Sequence, residues 1–126
     1  MGADLAGADL EGTTLREVNF QGGDLKGAKL CNTDLTKTNL KDANLRGAKL
    51  NDADLTQADL TGADLTNANL RGAQLIQTCL QQATLCNSTL RDAVLQRADL
   101  SRANLQGAYY TEEQLATAYA SWSTVR

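Results

Sequence analysis

Three cysteines, Cys31, Cys79 and Cys86, and a dense set of aspartates such as Asp54, Asp59 and Asp64 are the residues that could carry chemistry in this chain. A thiolate acts as nucleophile or metal ligand when a neighbouring base activates it. Paired carboxylates can work as general acid and base, or hold a hard cation such as calcium. Both chemistries are thinly supported here. The chain has no histidine, the commonest general base and metal ligand. Its cysteine spacings match no zinc or Cys-x-x-Cys pattern, and three thiols cannot pair fully within one chain. They predict free thiols in a reducing compartment, hence a cytoplasmic location, or an exported one if a signal peptide has been removed. The glycine–aspartate nonapeptide of calcium-binding β-rolls is absent as well. The expectation is therefore no catalytic, metal or cofactor-binding residue, and no enzyme.

Composition narrows the partners. The net charge of −3 sets up no long-range field to recruit nucleic acid or an anionic membrane. No apolar run approaches the ~18 residues that a membrane-spanning helix needs. A protein partner is left as the expected one. Hydrophobic residues make up 42% of the chain but aromatics only 4%, so leucine and alanine must fill the core.

The elements that must position these residues follow from a period of five. From Leu5 every fifth residue is leucine as far as Leu105, except Phe20, and the next step lands on Tyr110. These 22 registers contain no insertion or deletion. Two residues before each stands a small residue, alanine in 15 cases, and the residue between is Asp or Asn in 13. An α-helix repeats its apolar face every 3.6 residues and a strand every 2.0, so a period of five fits neither. The remaining solution is a coil in which each unit makes one short extended side and a bend. The leucine and the small residue point inward and the other three outward. Asp, Asn and Gly at the outward positions tolerate bends and left-handed backbone.

The units Ala53-Asp54-Leu55-Thr56-Gln57, Ala58-Asp59-Leu60-Thr61-Gly62 and Ala63-Asp64-Leu65-Thr66-Asn67 resemble the A-(D/N)-L-X-X signature of the pentapeptide-repeat family, and the match runs over residues 3–110. The resemblance implies an all-β fold, a right-handed quadrilateral parallel β-helix with four units per coil. Residues 20 apart then stack, Phe20 lies under Leu40, and the rod is about 26 Å long at ~4.8 Å per layer. The stacking sets Asp4 over Asp24 and Asp34 over Asp54, on flat outer walls with no cleft. Some family members imitate duplex DNA to act on gyrase, which offers an alternative function. The four walls, however, carry only −1, 0, 0 and −1, with a further −1 on the C-terminal segment. One wall bears Lys29, Lys49, Arg71 and Arg91 beside Asp52 and Asp92, which reads as a solvated ion-pair ladder.

The boundary falls after Tyr110, giving a β-helix over 1–110 and a helical cap over 111–126. Thr111-Glu112-Glu113-Gln114 forms a capping box, and Leu115, Ala118, Tyr119, Trp122 and Val125 fall at helical spacing, as a lid on the last coil or a dimer contact. Self-association through a solenoid end is a second route to a partner. Ile76 and Val94 are outward apolar residues on one wall in adjacent layers, and they form the candidate protein contact. The functional expectation is a rigid, non-catalytic structural or protein-interaction scaffold. Leu60→Asp is expected to unfold it, and Thr61→Asp, facing water, to be silent.

Overall fold

Each unit alternates an inward small residue, an outward residue and an inward leucine, and then turns. The structure, a computed structural model, describes residues 2–121 and 123–126. It shows how that pattern closes into a four-sided coil. The outward residue of each unit is bridged, in parallel, to the residue 20 positions on, as in Asp34 to Asp54 and Asp54 to Gln74. Each side contributes a single bridged residue rather than a longer regular strand, because five residues leave room for only three extended ones between bends. In the central unit Leu60 N–H donates to the Cys79 carbonyl at 2.7 Å, and Asp59 N–H donates to the Thr38 carbonyl at 2.9 Å. One coil is thereby tied to both neighbours.

The bends are four-residue turns closed by one hydrogen bond. Ala63 N–H donates to the Leu60 carbonyl at 3.0 Å, and the same bond recurs around the rod. The third turn residue has positive φ, as in a type II turn. From Gly7 to Gly107 every fifth residue is left-handed: eight glycines and thirteen others, among them Lys37, Gln57 and Arg97. This refines the expectation about Asp and Asn. The ones preceding each leucine are extended, and the left-handed residue comes three positions later.

Inside, Leu25 to Leu105 form an unbroken set of buried leucines with the alanines between them. The first coil is less covered: Leu5, Leu10, Leu15 and Val18 are partly buried, and Phe20 is 7% exposed. Inward hydroxyls are satisfied by carbonyls of their own or the neighbouring coil, Thr38 donating to the Leu35 carbonyl at 2.8 Å and Thr78 to the Leu55 carbonyl at 2.7 Å.

The C-terminal segment departs from the expected helix over 111–126. The helix α1 spans only Glu112–Ala116. Its capping box is formed as expected: Gln114 N–H donates to the Thr111 hydroxyl at 3.1 Å, and Thr111 N–H donates to Gln114 Oε1 at 2.7 Å. After Thr117 the chain returns to the coil. Tyr119 bridges Asp99, 20 residues away, while Val125 bridges Asn104, 21 away, so one residue is inserted. The period therefore persists through Leu115 and Ala120, which occupy the five-residue step. α1 replaces the one side that would have stacked on Val94, and Leu115 closes the core there, 4% exposed. Helical spacing misplaces the outer residues. Tyr119, expected on a face that caps the last coil or makes a dimer contact, is 63% exposed, and Val125 is 44% exposed, because both sit at outward bridge positions rather than over the last coil. Ala118 packs partly buried against the core. Trp122 lies outside the described residues.

Candidate functional site

The aspartates singled out for chemistry are all engaged in the same way. In each of the 13 units with Asp or Asn before the leucine, Oδ1 accepts the N–H two residues on, at 3.0–3.3 Å. The side chain thus caps the bend that follows it. In several units a hydroxyl joins: Thr61 donates to Asp59 Oδ1 at 2.6 Å, Thr66 to Asp64 at 2.6 Å and Ser101 to Asp99 at 2.7 Å.

At three of the aspartates these bonds also lower the carboxyl pKa. The Thr36 hydroxyl and N–H hold the Asp34 carboxyl below its ordinary range, against a small opposing effect of burial. For Asp64, partial burial pushes upward, but the Thr66 hydroxyl and N–H together with Arg46 outweigh it, and the net shift is downward. Asp99 follows suit, burial being outweighed by Ser101 and Gln81. Groups held ionised by donors are poor proton shuttles at neutral pH.

The stacked pairs Asp4–Asp24 and Asp34–Asp54 are confirmed as bridge partners. Cys79 lies between Asp59 and Asp99, with its Sγ 3.2 Å from the Thr61 hydroxyl. Cys31 Sγ donates to Asn51 Oδ1 at 3.6 Å. All three thiols are free and half-buried.

Ile76 and Val94 are both half-buried rather than prominent. Val94 lines a shallow groove of about 580 Å³ with Gln96, Arg97, Glu113 and Thr117, whereas Ile76 is outside it. A second groove, about 750 Å³, runs along the other flank of α1 past Arg91, Tyr109 and Tyr110. Gln114 lines both, with Ala93, Thr111 and Glu113. Its side-chain amide donates to the Leu90 and Ala93 carbonyls at 2.6 and 2.9 Å, replacing the backbone donor that the helix withdrew. Tyr109, 70% exposed, is the most exposed large apolar residue among the described residues. The sequence reading passed over it, although a tyrosine at an outward bridge position was a visible signal. The basic wall is only partly an ion-pair ladder: Arg71 lies 3.7 Å from Asp92, while Lys29 is bridged to Lys49.

A family model described as pentapeptide repeats matches residues 1–36, 38–75 and 68–107, in 8 copies. No curated protein sequence matches. Among solved structures, the pentapeptide repeat protein Rfr23 of the cyanobacterium Cyanothece 51142 is 28% identical with a TM-score of 0.68, over 97% of this chain and 90% of that one. HetL, a pentapeptide repeat protein involved in heterocyst differentiation regulation in Nostoc sp. PCC 7120, is 31% identical with a TM-score of 0.50. The match covers 85% of this chain and 49% of HetL, so this chain spans about half of HetL. Trypsin-treated QnrB1, a plasmid-mediated fluoroquinolone resistance protein, is 20% identical with a TM-score of 0.50, over 92% of this chain and 72% of that one. It shares the fold alone. The fold is the one known as the right-handed quadrilateral β-helix.

Proposed function

This chain belongs to the pentapeptide-repeat family, and from that premise we propose that it is a rigid, non-catalytic scaffold that a protein partner recognises through one wall or through the C-terminal end. The observation that carries this reading is the engagement of the bridge-position acids. Every Asp and Asn there is tied into its own turn, so the outward polar groups build the rod rather than a reaction centre. The rod offers flat walls and two shallow grooves beside α1, surfaces suited to contact rather than enclosure. HetL's involvement in differentiation regulation is a role that a binding module can fill. Three free thiols favour a reducing compartment, and we place the protein in the cytoplasm. Imitation of duplex DNA gains no support, because no wall carries a continuous anionic stripe.

The test is capture of partners on the immobilised protein, alongside Ile76→Lys/Val94→Lys and Tyr109→Lys/Val125→Lys. A partner lost by one pair and kept by the other locates the working face. Capture no different from that of resin bearing unfolded protein overturns the reading. A gyrase supercoiling assay is expected to show no inhibition.

A further inference from the structure

We propose that the corner between the wall of Leu25 and Leu45 and the wall of Leu30 and Leu50 seats an extended acidic segment of a partner protein. Two columns of cations flank this corner. Lys26 and Arg46 occupy the first outward turn position in adjacent coils, 20 residues apart, and Lys29 is bridged to Lys49 on the next wall. Only Arg46 has an acidic partner, Asp64 at 3.1 Å. Among the described residues Lys26, Lys29 and Lys49 make no ion pair. Like charges placed directly across from one another oppose pairing, so the bridged Lys29 and Lys49, with the unpaired Lys26 at the same corner, form a repulsive block that an anion would relieve.

The floor between the columns is the second observation. Gly7, Gly27 and Gly47 stack there at φ +68, +66 and +67, and a Cβ built on any of them meets nothing within 4 Å. In the next two coils Asn67 and Asn87 fill the same column. The result is a trough about two layers long, ~10 Å at ~4.8 Å per layer. It is open along its floor and closed at one end by side chains.

An extended chain fits this shape. Its successive side chains point to opposite sides, so consecutive carboxylates would reach the Lys26–Arg46 and Lys29–Lys49 columns in turn. Same-side carboxylates recur every ~6.7 Å, within the span of two layers and the reach of a lysine stem. Duplex nucleic acid fits less well. Its phosphates would continue past the patch onto Asp9, which is bridged to Lys29, and onto Asp52.

This inference rests on the scaffold reading and names its face and partner chemistry. The test is anisotropy of a fluorescein-labelled glutamate tetrapeptide, about as long as the trough at ~3.3 Å per residue, titrated with the full chain at about 50 mM salt, where exposed charges act with little screening. The expected result is saturable binding, weakened at least about tenfold by Lys29→Glu/Lys49→Glu, a loss of ~1.4 kcal/mol or more. Gly47→Asn fills the trough without changing charge, and asparagine already holds this left-handed turn position at Asn32, Asn67 and Asn87. It should weaken binding too, while Lys37→Glu on another wall should not. Absence of binding, equal loss from Lys37→Glu, indifference to Gly47→Asn, or tighter binding of a DNA decamer would each overturn the proposal. Capture of a protein partner that survives Lys29→Glu/Lys49→Glu would also end it while leaving the scaffold reading intact.

Discussion

Replacing Leu60 by alanine tests whether the buried ladder holds the rod together. Leu60 is fully buried, with Leu40 below and Leu80 above equally enclosed. Truncation removes the transfer free energy of the lost carbons and leaves a cavity, together about 2.7–5 kcal/mol for buried leucines. The cost falls when the surroundings can close on the gap. Here they are held by backbone bonds of 2.7, 2.7 and 2.8 Å from Leu40, Leu60 and Leu80 to the coils above, which fixes the layer spacing. The upper part of the range follows, about 4 kcal/mol. Leu5 has a coil on one side only and is partly exposed, so Leu5→Ala should cost about 1–2 kcal/mol. The assay is urea denaturation followed by far-ultraviolet circular dichroism. In a stack whose coils contact only their neighbours, a central defect should also uncouple the two halves and lower the slope of the transition. Leu60→Ala costing under about 1.5 kcal/mol, or Leu5→Ala costing as much, refutes the reasoning.

Thr61→Asp, silent on the sequence reading, is now expected to destabilise by about 1 kcal/mol. It sets a second carboxylate where the hydroxyl donates to Asp59 at 2.6 Å, and Thr61→Ser should be neutral by the same melts. Asp34 has a lower pKa folded than unfolded, so its contribution to stability is fully present above about pH 4 and disappears as pH falls through the folded value. Asp34→Asn should flatten that acid limb of stability against pH, and an unchanged limb counts against the assignment. Gly72 is at φ +71, and an added Cβ would sit on Asp52 Oδ1, whereas Gly27 has open space. Gly72→Ala should therefore cost more than Gly27→Ala, about 2 against about 1 kcal/mol, and Asp52→Ala should remove the difference in a double-mutant cycle.

Much of the fold was legible because it is written locally. Each leucine and each small residue two before it repeats a choice made within five residues, and burial from Leu25 to Leu105 follows it. The acids were harder to read. Asp59 was legible as an outward residue that tolerates a bend, and only the turn geometry shows that its Oδ1 is committed to the Thr61 N–H and hydroxyl. The candidate contacts fared unevenly for the same reason. Ile76 and Val94 stood out as apolar letters, yet among the described large apolar residues exposure is greatest at Tyr109 and Tyr119.

By itself the sequence determined the five-residue period, the identity of the core residues and the presence of a capping box at Thr111. Those depend on side-chain size, polarity and near-neighbour hydrogen bonds. Tertiary structure decided what lies between coils. It ended α1 at Ala116 and drew Tyr119 back onto Asp99, because open backbone groups of the last coil outweigh the helical pattern of a short segment. It also set the lysine columns beside the glycine floor, since residues 20 apart become neighbours only when four bends close the coil.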